Sequence, residues 1–164
     1  MRRLLPFLGI LLCVSLANAQ TPRVDLVRVD KSDRTLTLIG NGQVMHRFAI
    51  RLGGTPLGHK QREGDRRTPE GRYLLDFRKA DSAYYRAIHI SYPNRQDRAN
   101  ARQLGVSPGG AIMIHGQPNG LRLAADSTVT LPMDWTDGCI ALSNADMTTL
   151  WTLVRIPTPI EIVP

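Results

Sequence analysis

From Val24 onward the chain is built mostly on a period of two. VDLVRVD exchanges apolar and polar residues along its length, KSDR supplies a turn, and TLTLIG alternates again, as half-buried strands do. Gly40-Asn41-Gly42 comes next, and these residues tolerate the positive φ of a tight hairpin. QVMHRFAIRL reads as the returning strand, so the three segments predict an antiparallel meander. GGTPLGHKQREGDRRTPEGRY then interrupts the pattern with glycine and charge and reads as a long loop. Within it, Thr68 to Gly71 suits a type I turn, with Pro69 setting φ and Gly71 closing it. RYLLDFR and RAIHISY predict two more strands, RQDRANARQL a polar surface helix, and AIMIHG a short apolar strand ending at His115 and Gly116.

Beyond Cys139 the pattern changes period. IAL is a brief apolar segment, and Ser143 with Asp146 three residues on resembles a capping box. Met147, Leu150, Trp151 and Val154 then recur at helical spacing, which makes them the apolar stripe of a helix. Pro157 and Pro159 end it, and IEIV makes a final strand. The chain has 164 residues and 42% hydrophobic content, enough for one packed domain. No repeat, low-complexity tract or interdomain linker divides it. The expectation is one mainly β domain with two short helices.

The first residues have a separate explanation. Arg2 and Arg3 form a positive start, Leu4 to Leu16 an apolar run, and Ala17-Asn18-Ala19 a small-x-small cleavage site, the layout of a secretory signal peptide. Residues 1–19 are therefore expected to be removed, leaving residues 20–164 as an exported domain in the periplasm or cell envelope. The alternative is a retained membrane anchor, against which the run is short and interrupted by a proline and a glycine. Cys13, inside this run, reads as a passive apolar residue. Cleavage makes Cys139 the sole thiol, so no intramolecular disulfide forms even in an oxidising compartment.

The net charge of +7 becomes +5 without Arg2 and Arg3. The basic residues are scattered and interleaved with acids, and aromatics are only 5%, too few for a base-stacking platform. Nucleic acid is excluded on this ground, and an anionic envelope polymer is the more natural partner. No histidine–cysteine–carboxylate cluster has zinc-ligand spacing, and no glycine loop has phosphate-binding context. Neither a metal nor a cofactor is expected.

A cysteine nucleophile needs a base nearby and donors for the oxyanion. Of four histidines, His46 lies in an alternating strand and His59 in the charged loop, both read as structural or solvated. His89 either faces a cleft or is structural. His115 ends an apolar strand beside a glycine, where a strand opens into a loop, a common place for reactive groups. Gly138 precedes the thiol and allows close approach of a substrate. The N–H groups of Gly138 and Cys139 are the candidate oxyanion donors.

These residues carry a resemblance. IHG at Ile114 to Gly116 followed by TDGCIAL at Thr136 to Leu142 resembles the active-site signature of the L,D-transpeptidase catalytic domain (YkuD-type) family. GDRRTPEGRY at Gly64 to Tyr73 resembles its upstream signature, and with AIHISYPN the likeness covers nearly the whole chain after Ala19. The resemblance implies a β-sandwich-like sheet arrangement. It implies that Cys139 is the nucleophile, that His115 is the general base and acid, and that the Gly116 carbonyl orients the imidazole. The implied substrate is the peptidoglycan stem peptide, attacked at the carbonyl of the third, diamino-acid residue with release of D-alanine. An amine then resolves the thioester to give a cross-link, an exchanged D-amino acid or an attached lipoprotein.

Two positions depart from the family's common form. Asp137 stands where histidine is usual, and a carboxylate close to a thiolate raises the thiol pKa unless it points away or pairs with an arginine. Ala141 stands where arginine is usual. If that arginine binds a substrate carboxylate, Arg86 and Arg122 are the candidate replacements. Trp135 either lines the cleft or packs in the core. Two alternatives stay open: a hydrolase on the same site (a carboxypeptidase, or an amidase releasing a wall-linked lipoprotein), and a catalytically silent wall-binding domain.

Overall fold

The computed structural model describes residues 23–120 and 133–164. The expected signal segment with Cys13, and Arg122, lie outside the described residues. The opening meander forms as its alternation dictates. β1 (Leu26–Asp30), β2 (Thr35–Gly40) and β3 (Gln43–Ala49) pair antiparallel in sequence. Asn41 and Gly42 both take positive φ, 52° and 72°, the two-residue turn whose twist matches a hairpin. The inward positions Val27, Val29, Leu36 and Leu38 are fully buried.

β4 (Gly71–Ser82) and β5 (Tyr85–Ile90) form the second hairpin. β4 runs four residues beyond the expected RYLLDFR, because Lys79–Ser82 is polar and its first three residues are exposed. Period two reports burial, and there is little burial here to report. α1 (Arg95–Gln103) starts at the N-cap Asn94, whose side chain accepts from the N–H groups of Gln96 and Asp97. β6 (Met113–His115), β7 (Ile140–Ala141), α2 (Asn144–Leu153) and β8 (Thr158–Val163) complete the chain. Ser143 caps α2 by accepting from Asp146 N–H at 3.0 Å, while its hydroxyl donates to the Asp146 carboxylate. Met147, Leu150 and Val154 are fully buried, whereas Trp151 is only half-buried.

All strands join one eight-stranded sheet in the order β3-β2-β1-β8-β4-β5-β6-β7. The chain leaving β3 returns to the opposite edge, with Arg51 bridging Ala141 and Gly53 bridging Thr136. The sheet is thus curled on itself, mainly β and sandwich-like, with its core between the facing ends.

The long loop is more ordered than its composition suggests. Asp65 accepts from the N–H groups of Gln61, Arg62 and Arg67 and from Lys60 Nζ. Burial opposes its charge, but these donors prevail and hold its carboxyl down at about 2. Lys31, also buried, donates to Gly58 O and Glu70 Oε1. Thr68 to Gly71 does not form the expected type I turn but runs extended into β4. The loop reverses instead at Glu63–Gly64, since Thr68 Oγ1 is held by Gly53 N–H at 3.1 Å. Among the described residues no helix is long and apolar enough to cross a membrane.

Candidate active site

The turn that carries Cys139 is assembled where the two edges of the sheet meet. Asp134 anchors it, accepting from Leu52 N–H at 3.0 Å and pairing with Arg34 at 2.8 Å. Thr136 then bonds Leu52 O through its own N–H and Gly54 N–H through its carbonyl. Its hydroxyl accepts from Gly138 N–H at 3.1 Å and donates to Cys139 O at 2.7 Å. Gly138 has φ +126°, and a Cβ there would lie 2.6 Å from Arg67 O. Only glycine satisfies both the angle and the contact.

Cys139 follows this turn, half-buried. Its Sγ accepts from Met113 N–H at 3.4 Å and donates to Ala111 O at 3.7 Å. Ala111 itself takes φ 54°, a left-handed conformation that a non-glycine residue adopts at a cost. On the neighbouring strand His115 is 4% exposed. Its Nδ1 lies 2.7 Å from Gly116 O. A carbonyl only accepts, so Nδ1 carries the proton and Nε2 keeps its lone pair. Gly116 is pressed against Asn144, where a Cβ would sit 2.6 Å from Oδ1. Tyr84 and Trp135 flank the imidazole at 4.6 and 5.7 Å between ring centres.

Register sets the pair side by side. β6 and β7 are parallel, with His115 opposite Ala141, so Cys139 lies diagonally across from His115 on the same face. Both line a cavity of about 540 Å³, with Phe77, Tyr84, Met113 and Trp135. Burial is the main cause that lowers the His115 pKa, opposed by its bond to Gly116. Burial also raises the Cys139 pKa. Met113 N–H and Lys60 counter this, and Asp137 reinforces it. Both shifts favour the uncharged forms, a thiol beside a neutral imidazole, each bonded to main chain. Such a pair can move a proton from sulfur to Nε2 as sulfur attacks a carbonyl. Among the described residues no group of three or more His, Cys, Asp or Glu is placed to hold a metal.

The profile of YkuD, described as the L,D-transpeptidase catalytic domain, matches residues 25–162. The chain belongs to the L,D-transpeptidase catalytic domain family. It is 38% identical over 96 residues to YafK of Escherichia coli strain K12, whose name assigns it provisionally to the L,D-transpeptidases; the match covers 55% of this chain and 37% of YafK. Among solved structures it is similar to Pgp2 of Campylobacter jejuni, a helical cell shape determining protein, with TM-score 0.66 and 28% identity over 85% of this chain and 47% of that one. Bd1075 of Bdellovibrio bacteriovorus gives TM-score 0.61 and 25% identity over 87% and 48%. The chain thus spans about a third to a half of the length of these relatives.

Within this L,D-transpeptidase domain the candidate residues separate. Trp135 and Asp137 line the cavity with Cys139 and His115. Asp137 is 92% exposed and lies 3.5 Å from Arg66 Nε, which moderates its effect on the thiol. Gly138 N–H, one of the two expected oxyanion donors, is already bonded to Thr136 Oγ1. His89 is not on the cavity wall. It stacks on the wall residue Phe77 at 4.4 Å and bonds Asp76 at 2.7 Å. Arg86 faces away, its guanidinium over the rings of Tyr85 and Trp151. His46 is exposed and stacks on Phe48. His59 is not simply solvated: Glu70 N–H donates to its Nδ1, and Nε2 lies 3.1 Å from buried Asp97. Sequence reasoning missed Thr136, Tyr84 and Lys79, all on the cavity wall. Of these, only Thr136 carried a sequence signal, as a hydroxyl within the nucleophile motif.

Proposed function

We propose that the chain is exported on residues 1–19 and that residues 20–164 act on peptidoglycan stem peptides by cysteine acyl transfer. One observation carries this reading: Cys139 and His115 share one cavity on adjacent strands, with Nδ1 held by Gly116 O and Nε2 left as a base. His115 Nε2 takes the thiol proton as Sγ attacks the carbonyl of the diamino-acid residue. Cys139 N–H receives the oxyanion. Collapse expels D-alanine, whose nitrogen takes the proton from Nε2, and leaves a thioester on Sγ. An amine then attacks, with His115 as base, and sulfur regains its proton. The Gly116 carbonyl supports the imidazolium in both halves, the part a carboxylate plays in other triads.

The acceptor decides the product. An amine from a second stem gives a cross-link, a free D-amino acid gives exchange, a lipoprotein amine gives attachment, and water gives a carboxypeptidase or an amidase. A role in cell shape is supported by the likeness to Pgp2. The test is incubation of the chain and its Cys139→Ala variant with tetrapeptide muropeptides, with and without a free D-amino acid, followed by mass analysis. Cys139-dependent exchange or cross-linking is the expected result. Loss of alanine alone makes water the acceptor, and product formation that persists in Cys139→Ala overturns the reading.

A further inference from the structure

Lys79 stands apart on the cavity wall. Among the described residues it is the only lysine or arginine there, and burial disfavours the charged form of His115. The sheet register fixes its position. Lys79 pairs with Ala87, Ala87 with His115, and His115 with Ala141, so the four residues form one row across β4, β5, β6 and β7 on a single face. Ala87, between the two, adds only a methyl group and lines the same cavity as both. Strands lie about 4.8 Å apart, which puts the Lys79 Cα roughly 10 Å from that of His115. Its long flexible stem covers much of this distance.

The row ends at Ala141, whose side chain carries no charge. The cation is missing from the β7 end and present at the β4 end. Asp137, on the wall near the β7 end, offers a substrate carboxylate no attraction, which leaves Lys79 as the cation on the described wall that can bind one. The ammonium is free to exchange partners: it bonds Asp81 at 3.1 Å, with side chains 47% and 88% exposed, and such exposed pairs hold weakly.

We propose that Lys79 is the carboxylate-binding residue of the cleft, gripping a carboxylate of the acyl donor while the donor's scissile carbonyl lies at Cys139. The assignment rests on the function proposed above. The carboxylate is that of the departing residue or that of the diamino-acid side chain.

Binding without turnover separates the two sources. In the full chain carrying Cys139→Ala, titration calorimetry with a stem tetrapeptide is compared with two analogues, each amidated at one carboxylate. Adding Lys79→Met is expected to weaken tetrapeptide binding about 10-fold, the loss of a charged hydrogen bond, with Lys79→Arg retaining most of it. One amidated analogue is expected to bind weakly to the parent and to be insensitive to Lys79→Met, which identifies the carboxylate. Asp81→Asn is expected to leave binding unchanged or tighter. Equal affinity of parent and Lys79→Met for the tetrapeptide, equal losses for all three ligands, or no binding at all overturns the proposal. If binding depends on Lys79 while the Cys139 enzyme shows no turnover, the acyl-transfer reading falls and the carboxylate site stands.

Discussion

Gly138→Ala tests whether the turn that carries Cys139 is as tightly determined as the contacts around it indicate. The new Cβ would meet Arg67 O at 2.6 Å and Ile112 Cδ1 at 3.3 Å. The second contact yields by side-chain adjustment, but the first is with main chain that is itself held. Arg67 N–H donates to Asp65 at 3.1 Å, Arg66 O accepts from Thr55 N–H at 3.0 Å, and Thr68 Oγ1 accepts from Gly53 N–H. A φ of +126° adds about 1–3 kcal/mol for any residue with a side chain. Forced overpacking against main chain adds about 1–3 kcal/mol. The sum is about 2–6 kcal/mol, which for a domain of this size lowers Tm by roughly 10 °C.

The turn can relieve this only by moving Gly138, and Thr136 Oγ1 links Gly138 N–H to Cys139 O. The thiol should then leave its bond to Met113 N–H. Calorimetric melting reads the stability loss, and iodoacetamide alkylation read by mass reports the thiol. Gly64→Ala is the control, because Gly64 has φ +76° with nothing within 4 Å of its Cβ. It reports the backbone term alone, about 1 kcal/mol. If Gly138→Ala melts within 2 °C of Gly64→Ala and alkylates at the parent rate, the close approach does not position the thiol.

Three further outcomes are expected. Thr136→Val strands the Gly138 N–H and the Cys139 carbonyl, so it should cost about 2–4 kcal/mol in denaturant unfolding, while Thr136→Ser restores most of it. Because burial raises the Cys139 pKa, the alkylation rate should climb with pH to a midpoint above the ordinary thiol range. That midpoint should fall in Asp137→Asn, and a plateau already reached at neutral pH would speak for a thiolate–imidazolium pair instead. The Asp65 carboxyl is depressed from 3.8 to about 2, so its contribution to stability is full above pH 4 and is lost as pH falls toward 2. Denaturant melts between pH 5 and 2 should show a smaller acid loss in Asp65→Asn, which starts from a lower stability.

The meander was legible because one face of each strand is buried and the other is wet. That contrast is what period two records. Where it fades, legibility fades: Lys79–Ala80–Asp81 is exposed, so the far end of β4 and the cation it carries left no pattern. Lys31 and Lys60, buried through Glu70 and Asp65, depend on partners brought by the tertiary fold and looked like ordinary loop charges. His115 and Cys139 were legible because their immediate neighbours, Gly116 and Gly138, carry local constraints that show as motif. Arg86 was misplaced for want of strand phase. It adjoins Ala87, whose side chain faces the cavity, so Arg86 must face the other way, over Trp151.

The closure of the sheet and the placement of the thiol rest on the same contacts. Gly53 bridges Thr136, and a Cβ on Gly53 would meet Arg66 O at 2.1 Å and Gly138 Cα at 3.0 Å. Three main-chain segments, at Gly53, Arg66–Arg67 and Gly138, therefore converge at the seam with no side chain between the two glycines. The loop's ordered interior is what presents the carbonyls of Arg66 and Arg67 there, and Asp65 is its organising group. A site built on the seam inherits the rigidity of the closure, because the main chain on both sides of Cys139 is tied down by the Gly53–Thr136 and Arg51–Ala141 bridges. On the proposed function this rigidity has a chemical use. A thiol raised in pKa is a weak nucleophile at rest, so reaction depends on His115 accepting its proton at the moment of attack, and that transfer tolerates little error in position.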